Sequence, residues 1–224
     1  MKISLIIPIY NESQTIGAML EQLDALPGSW EILFADGGST DDTLEKIGKR
    51  YTVLHCPKGR ANQMNSAAGY ASSDVLWFVH CDSRIPADAH AQISNAVENG
   101  ASWGCFRIGF DYDGPFMGCN TYFSNRRAKK GIAFGDQGIW IRKSAFASIG
   151  GFPDLPIMED YEFSLRMQAA GIPICQLPGR IITSGRRYAQ QFPPKTMWQM
   201  FHLRCLYRRG VDIQEIARRY KDIR

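Results

Sequence analysis

The chain has 224 residues, of which 45% are hydrophobic, 12% aromatic and 21% charged, and its formal net charge is +4. This composition excludes a disordered or fibrous protein and is typical of a folded chain with a sizeable core. The six cysteines are widely spaced and form no CxxC pair, which excludes a zinc-finger pattern and indicates ordinary thiols in a reducing compartment.

Short apolar runs alternate with helical patterns through the first half of the chain. The apolar runs predict strands at 3–9, 31–35, 52–55 and 75–79. The stretches between and after them predict helices at 16–26, 43–50, 62–71 and 87–98. This alternation is typical of a mostly parallel sheet flanked by helices on both faces. The sequence therefore predicts a doubly wound, Rossmann-like α/β fold.

The second half of the chain has a less regular pattern. Strands are predicted at 103–110, 138–142 and 172–177, and a Gly- and Arg-containing stretch at 114–135 separates the first two. A helix is predicted at 159–170, and the pattern is helical from 193 onward. Because there is no repeat, low-complexity tract or linker, we expect one domain over 1–224 whose halves, 1–110 and 111–224, share a core.

Three loops with acids or amides follow predicted strands. They read PIYNE (8–12), DGGSTD (36–41) and HCDS (80–83). In open parallel sheets, ligands bind beyond the carboxyl ends of the strands, so these loops are the first candidates for a ligand site. The GxGxxG and GK[ST] signatures are absent, so the usual NAD, ATP and GTP fingerprints are missing.

Two groups of acids allow both a structural and a chemical interpretation. Asp82 follows a buried strand, where an Asp commonly forms a turn. It is also the type of ligand that Mg²⁺ or Mn²⁺ uses when a substrate diphosphate completes the coordination shell. Glu159 and Asp160 lie where a helix dipole favours acids. With Glu162 they also bring several carboxylates close to the second half of the predicted cleft.

Six segments, in this order, resemble the inverting family 2 glycosyltransferases, which have the A-type nucleotide-diphospho-sugar transferase fold. They are SLIIPIYNE (4–12), DGGSTD (36–41), the long segment 59–86, GDQGIWIRK (135–143), the segment 150–167 and SGRRY (184–188). The compact length and the GRANQMN and SGRRY segments resemble a small bacterial subgroup of that family. The resemblance implies that 1–110 binds the nucleotide sugar, and that 111–224, with its C-terminal helices, faces the acceptor.

The resemblance also implies a set of nucleotide-binding residues. They are Pro8, Tyr10, Asn11, Glu12, Asp36, Arg60, Asn65, His80 and Asp82. Asp36 would accept a hydrogen bond from the base, for which uracil is expected. His80 stands where the first Asp of the DxD signature would be, so it either replaces that residue's bond to the ribose or packs.

Metal-assisted transfer of the sugar, with inversion, is implied in the same way. Asp82, the retained acid of the DxD signature, would hold Mn²⁺ or Mg²⁺ against the donor diphosphate. Asp160, in the pair Glu159-Asp160, would be the general base that takes the proton of the acceptor hydroxyl. The residues expected to face the leaving diphosphate or the acceptor are Gln137, Arg186 and Arg187.

Two other functions stay open on the sequence. A nucleotidyltransferase acting on a sugar phosphate would use a related scaffold, although its Gly-rich, Lys-containing N-terminal loop is not seen. A non-catalytic nucleotide-sugar-binding protein would fit the reduced HCD motif. Nucleic acid is not expected as a partner, because the basic residues are not interleaved with aromatics.

The helical tail from Met197 combines an apolar face with arginines. Such a pattern predicts packing onto the domain, a homodimer contact, or a surface that meets anionic lipid. The apolar run at the N-terminus, about six residues long, is too short for a signal peptide or an anchor. We therefore expect a soluble cytoplasmic protein, at most resting on the inner face of the membrane, with a lipid or small molecule as acceptor.

Overall fold

The structure is a computed structural model that describes residues 1–190 and 192–220, with the side chains of residues 187 and 190 left undescribed. Within these ranges seven strands form one sheet, in the order β3-β2-β1-β4-β6-β5-β7. The strands are β1 Ile3–Ile9, β2 Trp30–Asp36, β3 Thr52–His55, β4 Val75–Phe78, β5 Trp103–Phe110, β6 Trp140–Arg142 and β7 Cys175–Thr183.

The sheet is mostly parallel. β1 pairs parallel with β2 and β4, and β2 pairs parallel with β3. β6 runs antiparallel to both of its neighbours, β4 and β5, whereas β5 and β7 are parallel. This arrangement confirms the predicted Rossmann-like α/β class, and it brings the carboxyl ends of β1, β2 and β4 to one edge of the sheet.

Helices cover both faces of the sheet. They are α1 Ile16–Ala25, α2 Thr43–Ile47, α3 Arg60–Tyr70, α4 Ala89–Glu98, α5 Met117–Lys129, α6 Lys143–Ser148, α7 Glu159–Ala169, α8 Arg186–Gln190, α9 Pro193–Arg208 and α10 Ile213–Arg219. Alternate residues of β1 enter different cores, with Leu5 and Ile7 packed towards α1 and α4, and Ile6 packed towards α3. Burial on both faces explains why the strand reads as a continuous apolar run.

The structure differs from the sequence prediction most at α5 and β7, and the short helix α6 was also not predicted. The stretch 114–135 contains the helix α5, whose buried residues are Met117, Asn120, Ser124 and Ala128. Their spacing is helical, but two of the four are polar, so no hydrophobic period is visible. β7 begins later than predicted, at Cys175, and continues through Pro178 and Gly179, which are extra residues at a register shift opposite Phe106 and Arg107 of β5.

The C-terminal helices pack onto α7. Leu203 of α9 and Ile216 of α10 are buried in a cluster with Tyr161 of α7. The predicted apolar face of the tail is therefore only partly used for packing, because Phe201 remains 57% exposed and Trp198 64% exposed. Among the described residues, no helix is both long enough and apolar enough to span a bilayer.

Candidate active site

Two adjoining cavities lie at the carboxyl edge of the sheet. One, of about 140 Å³, is lined by the loop after β1 and is called here the β1-side cavity. The other, of about 270 Å³, is lined by the start of α7 and is called the α7-side cavity. The residues that line both are Arg60, His80, Asp82 and Arg186. The two cavities thus form one cleft, with these four side chains in its middle.

Hydrogen bonds between the first two loops shape the rim beside the β1-side cavity. Asn11 has a φ of 54°, and its Oδ1 accepts the Thr40 backbone N–H at 2.8 Å. The Asn11 N–H donates to Ser39 Oγ at 3.0 Å, and the Glu12 N–H donates to Thr43 Oγ1 at 2.8 Å. These contacts fix the loop after β1 against the loop after β2.

Pro8, Tyr10 and Glu12, which belong to the nucleotide-binding set expected from the resemblance, line the β1-side cavity. The Tyr10 ring lies under the Lys58 ammonium, which is 3.9 Å from the ring centroid. Such a contact combines an aromatic surface with positive charge. A flat base and an anionic group could both be received at this end of the cleft.

Gln63, which the sequence interpretation did not single out, forms the floor of the same cavity. Its Nε2 donates to the Ile9 and Ala35 carbonyl oxygens, both at 2.7 Å. A Cβ on Gly37 would approach the Gln63 side chain to 3.0 Å, which is consistent with glycine at that position. One buried amide thereby holds the ends of β1 and β2 together.

Asp36 is buried at the end of β2 and, like Asn11, is not among the residues that line the two cavities. Only 1% of it is exposed, and its carboxylate accepts backbone N–H groups of Gly38 at 3.2 Å and Ser39 at 3.0 Å. Its Oδ2 also lies 3.4 Å from His55 Nδ1. Burial raises the pKa of Asp36, but these hydrogen bonds outweigh that effect and the pKa is lowered. In this structure Asp36 orders its own loop and does not line the two cavities.

The loop after β4 provides the middle of the cleft. His80 and Asp82 both line the two cavities, and the Nε2 atom of His80 is buried beside Gly135. Asp82 Oδ2 lies 3.5 Å from Arg186 Nη2, and both side chains retain contact with solvent. A Cβ at Gly135 would come within 2.8 Å of His80 Nε2, so the absence of a side chain there allows His80 its position.

The pair Glu159-Asp160 opens α7 on the opposite side of the cleft. Glu159 is buried, and its Oε1 lies 3.1 Å from Arg60 Nη1. Burial raises the pKa of Glu159, while the Arg60 guanidinium opposes that rise. Asp160 Oδ2 accepts the Gly135 N–H at 2.8 Å, and Oδ1 accepts its neighbour's N–H at 2.7 Å. The backbone therefore holds the Asp160 carboxylate at the cavity wall in a fixed orientation.

Asp136 is a cavity residue that the sequence interpretation missed, although the GDQG segment that contains it was noted. It lines the α7-side cavity, and its Oδ1 atom is buried. Burial raises the pKa of Asp136 to about 6, and the nearby Arg127 guanidinium limits the rise. Its position between Gly135 and Gln137 carries no periodic or capping signal, so only the structure reveals it.

Two further residues of the expected set, Asn65 and Gln137, also lie away from the two cavities. Both ends of the Asn65 amide bind the Phe152 backbone, at 2.7 Å to its oxygen and 3.0 Å from its nitrogen. Gln137 is fully buried, and its Oε1 accepts from Arg127 Nη2 at 3.1 Å. These amides bind neighbouring protein groups, and neither residue lines the two cavities. The prediction for the Arg187 side chain falls outside the described residues.

The fit of a divalent metal can be judged from the acids of the cleft. Within the described ranges no group of three or more His, Cys, Asp or Glu side chains has the spacing of a metal site. Asp82 by contrast has an accessible carboxylate at the junction of the two cavities. That arrangement fits Mg²⁺ or Mn²⁺, which commonly use one or two protein carboxylates together with substrate phosphates.

Solved structures share this fold. S. aureus TarS in complex with UDP-GlcNAc gives a TM-score of 0.66 at 19% identity, covering 82% of this chain and 58% of that one. The mannosyltransferase PcManGT from Pyrobaculum calidifontis, in complex with GDP-Man and Mn²⁺, gives a TM-score of 0.63 at 17% identity. That match covers 90% of this chain and 60% of PcManGT.

The sequence comparisons give the family. The dolichol-phosphate mannosyltransferase of Pyrococcus furiosus is 32% identical over 110 residues, which is 45% of this chain and 31% of that protein. The chain thus matches less than two thirds of this relative's length. The family model described as glycosyl transferase family 2 matches residues 4–150, which include the loops after β1, β2 and β4. The chain therefore belongs to glycosyl transferase family 2.

Proposed function

We propose that this protein transfers a sugar from a nucleotide diphosphate sugar, with a UDP-sugar as the expected donor, to an acceptor hydroxyl with inversion. The observation that carries the proposal is the placement of Asp82 and Arg186 between the two cavities, with Asp160 across the α7-side cavity. A diphosphate lying at this junction would have its nucleoside in the β1-side cavity and its sugar near Asp160.

Each end of that donor meets suitable groups. Tyr10 and Glu12 offer a ring and a carboxylate to a nucleoside, and the Lys58 ammonium offers charge to an anion. Arg60 and Arg186 line both cavities, so two guanidinium groups, paired in this structure with Glu159 and Asp82, lie beside the place proposed for the diphosphate. TarS and PcManGT, which share the fold, are complexed with UDP-GlcNAc and GDP-Man, which supports a nucleotide sugar as the donor class.

The chemistry of inverting transfer is a direct displacement. The acceptor oxygen forms a bond to the anomeric carbon while the bond from that carbon to the diphosphate oxygen breaks. Asp160 takes the proton of the acceptor hydroxyl, and its two backbone hydrogen bonds keep the carboxylate oriented for this step. Glu159, the other acid of the pair Glu159-Asp160, is held by its ion pair with Arg60 and supports Asp160. Charge on the departing diphosphate is stabilised by Arg186.

Asp82 is the residue that we propose to hold Mn²⁺ or Mg²⁺. When bound, a divalent ion would neutralise charge on the diphosphate. The Arg186 guanidinium lies 3.5 Å from the same carboxylate. We propose that Arg186 exchanges this contact for the diphosphate when the donor binds, which leaves Asp82 available to the metal.

Further expectations from the sequence remain proposals. A single domain over 1–224 is supported by the one sheet that includes strands from both halves. Peripheral contact with the inner face of the membrane is supported by the exposure of Trp198 and Phe201 on the basic helix α9. Flotation with anionic liposomes, compared with Trp198→Ser, tests that contact. Sedimentation analysis tests the homodimer.

The transferase proposal is tested by following product formation from candidate donors with Mn²⁺. Release of a nucleoside diphosphate that is lost in Asp160→Asn supports it, whereas full turnover in Asp160→Asn would overturn the assignment of the base. A nucleotidyltransferase would release pyrophosphate instead. Tight nucleotide-sugar binding with neither product would identify a non-catalytic binding protein.

A further inference from the structure

A third cavity lies beside the proposed reaction centre. It has a volume of about 410 Å³ and is enclosed mainly by α5 and α9, so it is called here the α5–α9 cavity. Six residues line both this cavity and the α7-side cavity: Phe110, Phe134, Asp136, Tyr188, Met200 and Arg204. A molecule in the α5–α9 cavity would therefore be separated from the proposed sugar position only by shared side chains.

Two buried polar atoms belong to residues that line the α5–α9 cavity. Asn120 is 8% exposed, and neither its Nδ2 atom nor Asp136 Oδ1 has a hydrogen-bond partner within 1–190 and 192–220. Burying polar groups without partners costs free energy, and native structures rarely leave them so. One is a donor and the other an acceptor, and a hydroxyl group can pair with either kind of atom.

The remaining wall is largely aromatic and apolar. Phe123 of α5 is 61% exposed and Phe201 of α9 is 57% exposed, and both line the cavity. The Arg204 guanidinium lies over Phe134 and Phe201, at 5.7 and 5.8 Å from their centroids. No carboxylate of the described residues pairs with Arg204, which keeps this cation available at the boundary between the two cavities.

We propose that the α5–α9 cavity binds the acceptor, and that the acceptor is an alcohol with an apolar body. Its hydroxyl end meets Asp136 and Asn120, and its apolar body covers Phe123 and Phe201. This inference rests on the proposed transferase function. The acceptor oxygen would then approach the sugar from the side of the α7-side cavity where Asp160 lies.

A matched pair of probes tests this site. Methyl β-D-glucopyranoside and n-octyl β-D-glucopyranoside have the same hydroxyls and differ in the apolar chain. The full chain is titrated with each by calorimetry, with the octyl glucoside below its critical micelle concentration. We expect the octyl glucoside to bind at least about tenfold more tightly, which corresponds to about 1.4 kcal/mol.

Three variants separate the two halves of the proposal. Phe201→Ser should weaken octyl glucoside binding about tenfold and leave methyl glucoside binding unchanged. Asp136→Asn should weaken both glucosides, because it removes the carboxylate that faces the hydroxyl. Tyr70→Ser removes an aromatic ring that is 62% exposed at the end of α3. It is the control, and it should change the affinity for neither glucoside.

UDP binding, measured in parallel, separates this inference from the proposed function. If UDP binds but the two glucosides bind with equal affinity, the acceptor inference is overturned and the transferase proposal stands. The same holds if UDP binds and Phe201→Ser and Asp136→Asn bind both glucosides as tightly as the control Tyr70→Ser does. If the octyl glucoside binds as expected and no nucleotide binds, the transferase proposal fails while the cavity assignment stands as an amphiphile site.

Discussion

Asp136 should make the stability of the protein depend on pH in a direction opposite to that of a salt-bridged acid. Its pKa is raised from 3.8 to about 6, chiefly by burial. The folded protein therefore holds a proton more tightly than the unfolded chain. The resulting stabilisation is fully present below the unfolded pKa and is lost as the pH rises through about 6.

The size of this effect follows from the shift. A change of about two pKa units corresponds to about 3 kcal/mol in full, and the partial accessibility of the residue makes this an upper value. Between about pH 4.5 and about pH 7.5 the loss should reach about 2 kcal/mol. Asp136→Asn keeps the shape of the side chain but cannot ionise, so it should not show this loss.

The assay is urea unfolding of the wild type and Asp136→Asn across this pH range. Because Glu159 also has a raised pKa, the difference between the two proteins is the relevant quantity. The free energy of unfolding should fall more steeply with pH in the wild type, by about 2 kcal/mol over the range. Asp88→Asn, at an exposed helix start, is the control. Parallel curves for wild type and Asp136→Asn would refute the reasoning.

Three further predictions concern the cleft and the core. Asp82→Asn should lower the affinity for a nucleoside diphosphate by at least about tenfold when Mn²⁺ is present, and should change that affinity little in EDTA, as measured by calorimetry. Equal losses of affinity with Mn²⁺ and with EDTA would remove the metal assignment. Gly135→Ala should slow the release of the nucleoside diphosphate from the donor during turnover, because the new Cβ would lie 2.8 Å from His80 Nε2. An unchanged release rate would show that His80 moves freely. Leu203→Ala should cost about 2–5 kcal/mol of unfolding free energy in urea, since the side chain is 1% exposed; a loss below about 1 kcal/mol would mean that α9 contributes little to the core.

The order of strands and helices in the first half was predictable because burial and hydrophobicity coincide there. β1, for example, is apolar on both faces, and its predicted bounds at 3–9 match the strand Ile3–Ile9. The helix α5 was not predictable, because Asn120 and Ser124 occupy buried positions where an apolar residue would have revealed the period. Those same polar positions border the α5–α9 cavity.

Part of the cavity lining was predictable from residues that follow a strand, although Asn11 and Asp36, also at strand ends, do not line the two cavities. Asp82 and His80 follow β4, and the structure places both in the cleft. Asn65 and Gln137 were inferred from motif position alone, and the structure shows their amides bound to the Phe152 backbone and to Arg127. A motif gives the residue type, but only packing decides whether a side chain turns to the ligand or to its neighbours.

The most direct test of the central claim is the binding of UDP measured by calorimetry with and without Mn²⁺, for the wild type and for Asp82→Asn. The proposed function predicts binding that strengthens with Mn²⁺ in the wild type, and loses this dependence when Asp82 is replaced. Tyr70→Ser should bind like the wild type. If UDP, and GDP tested in the same way, fail to bind the wild type with Mn²⁺ present, the cleft is not a nucleotide-sugar site and the proposed function is contradicted.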